Sequence, residues 1–297
     1  MQLKQAVDSA YQRFVAADVP SPRLNAEILM TFTLGRDRSY LFAHPERELS
    51  PEEQYRYDEV TAQREQGCPT QYITGHQEFW GLDLLVSPAV LIPRPETEHV
   101  VETILELVHE HYREHHAPIR IVDVGTGSGC IALALATELP EAEIHACDIS
   151  EEALEMARVN AARLGLGSRV LMRKSDLLSV YDEGIFDFVV SNPPYVGESE
   201  ADKVQKQVKD FEPRIAVFSG AEGMDIYKRL LPQSQSALRA GGWFVTEIGF
   251  SIEEKTKQLM RGWDDVRTTA DLQGIPRVVA ARKPAEQKSA TRKVALG

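Results

Sequence analysis

A chain of 297 residues and 33.2 kDa has room for one large domain or two smaller ones, and its length favours two compact units, one of them of about 200 residues. Apolar residues at 43% and charged residues at 26% are ordinary for a soluble globular protein. A formal charge of -12 argues against a protein whose affinity rests on neutralising nucleic-acid phosphates, because it would be repelled by them.

Residues 1–75 read as helical. Val7, Ala10, Tyr11, Phe14 and Val15 form one apolar stripe, and Leu24, Ile28, Leu29 and Phe32 a second that stops at Gly35. Ser50-Pro51-Glu52-Glu53 supplies a capping box for a helix ending at Gly67. Residues 76–93 turn β-rich, a hairpin with its turn at Ser87-Pro88 that links two domains. Phe79-Trp80 reads as interdomain packing, with a substrate platform as the alternative. Pro95-Glu96-Thr97 opens a helix running to His116. Arg94, between prolines, serves either that helix entry or closure of a cofactor cleft.

From residue 118 the pattern alternates: strand 119–124, turn 125–129, helix 131–139, strand 144–146, helix 150–164, then strands 170–172, 186–190 and 243–248. Such alternation means a parallel sheet with helices on both faces. The expected division is a helical domain over 1–75, a hairpin linker over 76–95, an α/β domain over 96–283 and a disordered tail over 284–297.

The three cysteines, Cys68, Cys130 and Cys147, suit a reducing cytoplasm, and the N-terminus lacks the apolar core of a signal peptide. No stretch of the sequence reads as a membrane span. His111 and His115 stand four apart on the helix, either a metal pair or a solvated end; no third ligand suggests itself, so the expectation is no metal. Lys203, Lys206 and Lys209 read as an exposed helix face, with substrate docking as the alternative.

Two stretches carry chemistry. Gly125-Thr126-Gly127-Ser128-Gly129 lies between strand and helix, where glycines let a ligand approach the backbone and helix-end N–H groups are free. The position a dinucleotide fingerprint gives to a third glycine is Cys130, and the tighter turn suits S-adenosyl-L-methionine instead. Nineteen residues past Gly129, Asp148 ends the next strand and is placed to accept ribose hydroxyls. Asp123 reads as orienting the turn. The second stretch, Asn192-Pro193-Pro194-Tyr195, ends a buried strand at the edge where open sheets bind ligands. The Asn192 oxygen and the Pro193 carbonyl can accept both N–H protons of a planar NH2 group while Tyr195 stacks on its face. That localises the nitrogen lone pair and aims it at a sulfonium methyl. Catalysis is therefore expected from Asn192, Pro193 and Tyr195, and substrate binding from these with Pro194.

These stretches, with Gln71 to Gly75, Leu91-Ile92-Pro93-Arg94-Pro95-Glu96-Thr97-Glu98, Glu212-Pro213, Glu247-Ile248-Gly249 and Arg277-Val278-Val279, resemble the HemK/PrmC family over about residues 5–282. These are protein-(glutamine-N5) methyltransferases. The resemblance implies a Rossmann-like class I domain with a seven-stranded, mostly parallel sheet after a small helical bundle that recognises substrate. It implies S-adenosyl-L-methionine held by Gly125 to Gly129, Asp148 and Asn192, with Leu177 against the adenine, and S-adenosyl-L-homocysteine as product. The implied substrate is the glutamine of a Gly-Gly-Gln loop in peptide chain release factors, acted on by a cytoplasmic monomer without nucleic acid or membrane. Alternatives are a ribosomal-protein glutamine, adenine N6 in nucleic acid, and a cofactor-gated binding protein.

Overall fold

The computed structural model describes residues 1–112 and 117–285. His115 and His116, and nearly all of the expected tail, lie outside the described residues.

Five helices open the chain: α1 (Leu3–Ala16), α2 (Pro22–Leu34), α3 (Arg38–Ala43), α4 (Pro51–Glu65) and α5 (Thr70–Thr74). The capping box forms as read, Glu53 N–H donating to Ser50 Oγ at 3.1 Å and Ser50 N–H to Glu53 Oε2 at 2.9 Å. Both apolar stripes need correction. On α1 the buried side chains are Leu3, Ala6, Val7, Ala10 and Phe14, and Val15 is exposed. On α2 the buried face runs through Ala26, Glu27, Leu29, Met30 and Thr33, which leaves Leu24, Ile28 and Phe32 outside. The reason is Glu27: its carboxylate is buried between Arg23 (2.8 Å) and Arg38 (2.6 Å), so a charged position that pattern assigns to solvent points inward.

A two-stranded hairpin follows, β1 (His76–Phe79) and β2 (Leu82–Leu85). Its turn is Trp80-Gly81, both at positive φ (55° and 71°), and not Ser87-Pro88. That is a two-residue turn of the kind that matches strand twist; an aromatic residue in its first position hides it from sequence. Phe79 and Leu84 drop into the core of the following domain. Trp80 donates through its ring N–H to Glu138.

The second domain comprises α6 (Glu98–His111), β3 (Arg120–Val124), α7 (Cys130–Glu138), β4 (Glu143–Asp148), α8 (Glu151–Arg163), β5 (Val170–Lys174) and β6 (Phe186–Ser191). It continues with α9 (Lys206–Phe211), α10 (Arg214–Val217), α11 (Asp225–Ala237), β7 (Leu238–Glu247), α12 (Glu253–Leu259), β8 (Asp264–Ala270) and β9 (Pro276–Arg282). The α6 helix stops at His111, not 116, with Tyr112 closing it. The seven strands order as β5-β4-β3-β6-β7-β9-β8. The first five run parallel, and β9 runs antiparallel to both β7 and β8.

Side chains alternate across this sheet, as strand geometry requires. Ile121, Phe188, Val190, Trp243 and Val245 pack on one face with α6 and α7. Val122, Val124, Val189, Phe244 and Val279 pack on the other with α11 and α12. The chain winds outward from β3 to β5, then returns to place β6 on the other side of β3. Between β3 and β6 lies the switch point, where the loops diverge and leave a crevice at the carboxyl ends of the strands. The glycine turn leaves β3 and Asn192 leaves β6 at that crevice.

Candidate active site

The glycine turn is tied mainly to the end of β4. Gly125 and Thr126 N–H groups both donate to the Cys147 carbonyl, Gly127 N–H to Asp148 Oδ2 at 3.0 Å, and Gly129 N–H to the Thr126 carbonyl. These four N–H groups are therefore occupied within the protein. What the turn offers is shape: Gly125 and Gly127 hold φ of 74° and 56°, and a Cβ on either would meet nothing within 4 Å. Both border an apolar cavity with Asp148, Leu177, Pro193 and Pro194. The neighbours turn away from it. Thr126 and Ser128 are buried, Thr126 donating to Asp123 Oδ2 at 2.7 Å, and Gly129 is packed between Leu133 and Ala157.

Asp148 presents a carboxylate whose oxygens take the Gly127 and Ser150 N–H groups. Burial pushes its carboxyl above the usual carboxylate range, and those backbone bonds pull it back. Each oxygen keeps acceptor capacity toward the cavity. Leu177 sits at φ 54°, a left-handed conformation rare for such a side chain, with its carbonyl taking the Cys147 thiol at 3.3 Å. Asp176 also borders this cavity but is paired with Arg229 at 2.6 Å. An apolar cavity with the Asp148 carboxylate beside a cradle free of Cβ atoms fits a nucleoside bearing an amino-acid chain. Asp123, behind the turn, accepts Thr126 Oγ1 and the Ala132 N–H; burial pushes its carboxyl up to about 7.

A second cavity adjoins the first across Leu91, Pro193, Pro194 and Ala216. Asn192, Tyr195, Arg94 and Glu247 line it. Asn192 thus faces the second cavity and does not line the first, although sequence reasoning gave it to both. Tyr195 points its hydroxyl at Glu247 Oε1, 3.3 Å away, and the Glu247 carboxylate keeps the phenol protonated. The ring fits because residue 249 is glycine: a Cβ there would lie 2.7 Å from Tyr195 Cδ2.

Sequence reasoning passed over Thr97 and Glu247 as functional residues. Thr97 Oγ1 donates to Glu247 Oε2 at 2.6 Å and accepts Asn192 Nδ2 at 3.0 Å. Burial raises the Glu247 carboxyl to about 7, against the Thr97 and Tyr195 hydroxyls, which lower it. A carboxylate closing the otherwise buried strand Trp243 to Glu247 was the available signal. Arg94 resolves to an ion pair with the buried Glu212 at 2.5 Å, which ties the segment before α6 to the loop after α9 and walls the second cavity. Lys203, Lys206 and Lys209 are exposed and paired with Glu200, Asp210 and Asp202. His111 stacks on Trp243 at 5.4 Å, and among the described residues no cluster of three or more His, Cys, Asp or Glu stands ready for a metal.

Residues 5–75 match the family model of the PrmC N-terminal domain, and residues 102–210 that of the methyltransferase small domain. The chain is 59% identical over 285 residues to the release factor glutamine methyltransferase of Koribacter versatilis (strain Ellin345), covering 96% of this chain and 99% of that protein. It is 42% identical over 263 residues to the protein of the same name from Moorella thermoacetica (strain ATCC 39073 / JCM 9320), covering 88% and 90%. Among solved structures, the hMettl16 catalytic domain in complex with MAT2A 3'UTR hairpin 1 superposes with a TM-score of 0.57 at 20% identity, covering 77% of this chain and 82% of that one. At that identity the likeness is one of fold.

Proposed function

The chain belongs to the release factor glutamine methyltransferase family, and on that premise we propose that it methylates the side-chain nitrogen of the Gly-Gly-Gln glutamine in peptide chain release factors. The observation that supports this reading is the pair of cavities meeting over Pro193 and Pro194, one built for a nucleoside and one lined by Asn192 and Tyr195. S-adenosyl-L-methionine, when bound, supplies an electrophilic methyl group on a sulfonium. The residues for it are Gly125 and Gly127, whose missing Cβ atoms leave room, Asp148 for the ribose hydroxyls and Leu177 for the base. Thr126, Ser128 and Gly129 shape that turn from behind.

In the second cavity the Asn192 oxygen and the Pro193 carbonyl accept the two N–H groups of the glutamine amide. The two acceptors withdraw the nitrogen lone pair from conjugation and fix its direction. Tyr195 closes the face of the amide, and Pro194, with no N–H to offer, holds the carbonyl rim rigid. A methylated amide nitrogen is acidic enough to lose its proton to solvent, so no strong side-chain base is required. Phenolic Tyr195, held protonated, is not that base. The helical unit over 1–75 is assigned to recognition of the release factor, with Leu24, Ile28 and Phe32 free on its surface.

Asn192→Ala tests the assignment. Turnover is expected to fall by about 100-fold or more while calorimetric affinity for S-adenosyl-L-methionine stays within about twofold. Retained turnover would remove Asn192 from the reaction.

A further inference from the structure

Thr97 and Glu247 are fully enclosed, polar, and joined to the one side chain whose orientation the chemistry depends on. Resting on the reading of Asn192 as an acceptor for the substrate amide, we infer that Thr97 and Glu247 are positioning residues that decide which end of the Asn192 side chain faces the substrate.

The number of protons available along this chain of contacts decides the orientation. A threonine hydroxyl has one proton to give. Glu247 Oε2, 2.6 Å from Thr97 Oγ1, has none when ionised, so the Thr97 proton goes there. Only lone pairs remain on the other side of Thr97, and the group 3.0 Å away must be a donor. Asn192 therefore turns its NH2 to Thr97 and its oxygen to the second cavity. A reversed amide would set its own NH2 against the NH2 of the substrate, removing one of the two acceptors and leaving only the Pro193 carbonyl. Glu247 Oε1 meanwhile accepts the Tyr195 hydroxyl, so one carboxylate orients both Asn192 and Tyr195.

The relay runs one way only while Glu247 is ionised. A protonated Glu247 donates to Thr97, which frees the Thr97 proton for the Asn192 oxygen and permits the reversed amide. The groups facing Glu247 pull in opposite senses. Glu96, before α6, opposes ionisation, whereas Arg277 on β9 and the Thr97 and Tyr195 hydroxyls favour it. Arg94 lies close enough to act on Tyr195. Tyr227 on α11 donates to the Glu247 backbone carbonyl at 2.6 Å and fixes the strand end.

Steady-state kinetics on a purified release factor, as a function of pH, tests the relay in the full-length chain. Thr97→Val keeps the shape and deletes the hydroxyl. It is expected to lower kcat about 10- to 100-fold, with KM for the release factor and affinity for S-adenosyl-L-methionine within about twofold. Thr97→Ser restores kcat to within about threefold. Wild-type kcat should fall on the acid side through one ionisation, and Glu247→Gln, which cannot ionise, should lack that acid limb. Full activity of Thr97→Val, a loss that serine does not repair, or an unchanged acid limb in Glu247→Gln would each overturn the inference. Should Thr97→Val fail to fold, the Thr97→Ser and Glu247→Gln profiles decide it alone. Asn192→Ala separates the two levels: if it stays active, the reading of Asn192 fails. If it is inactive while Thr97→Val is fully active, only the relay fails.

Discussion

Asp123 and Glu247 are carboxyl groups that burial lifts from the ordinary 3.8 and 4.5 to about 7. In the folded chain they keep protons that the unfolded chain has already released between those values. Their effect on stability is therefore greatest at low pH and is lost as pH rises toward 7, then levels off. Asp123→Asn preserves an oxygen for Thr126 and Ala132 and removes one of the two ionisations. The thermal midpoint of the variant should fall less between about pH 5 and neutrality than that of the wild type, with Glu247 and Asp148, both raised by burial, contributing to the remaining slope. An identical slope in both proteins would show that Asp123 is not its source. Asp123 was legible as an orienting residue because it adjoins the glycine turn. The Thr97–Glu247 contact was not, because it spans 150 positions of sequence and only the folded sheet brings the two together.

Elements were legible where pattern and burial coincide. The capping box of α4 and the βα turn after β3 depend on local chemistry and form where the sequence places them. The stripe of α2 was misread because a buried ion pair inverted the usual sense of polarity, and the hairpin because its turn begins with tryptophan. Long-range pairing also decides the segment around Arg94. Glu212 is 1% exposed at its side chain, so removing Arg94 strands a carboxylate. Arg94→Met is expected to cost ~2–3 kcal/mol in urea unfolding, below the ~3–5 kcal/mol of a fully buried pair because Arg94 keeps water contact. Adding Glu212→Leu should recover most of that loss. A double variant as unstable as the single one would mean that the charge pair is not what holds this wall.

At the scale of the whole molecule, the five parallel strands were legible from their apolar runs, and with them the crevice between β3 and β6. The antiparallel edge was not read as such: β8 is almost entirely polar and exposed, and direction of pairing leaves no mark on sequence. Several of the chain's acidic residues have structural work in the fold: Asp148 and Asp123 hold the glycine turn, and Glu98 and Glu138 tie down the hairpin. The glycine turn and the Asn192–Tyr195 loop converge on one crevice, where two cavities adjoin. That convergence is tested most directly by methyl transfer from labelled S-adenosyl-L-methionine to a purified release factor and to its variant with alanine in place of the Gly-Gly-Gln glutamine. Label is expected on the glutamine of the first and none on the second; equal labelling of both, or of neither, would contradict the proposed methyl transfer.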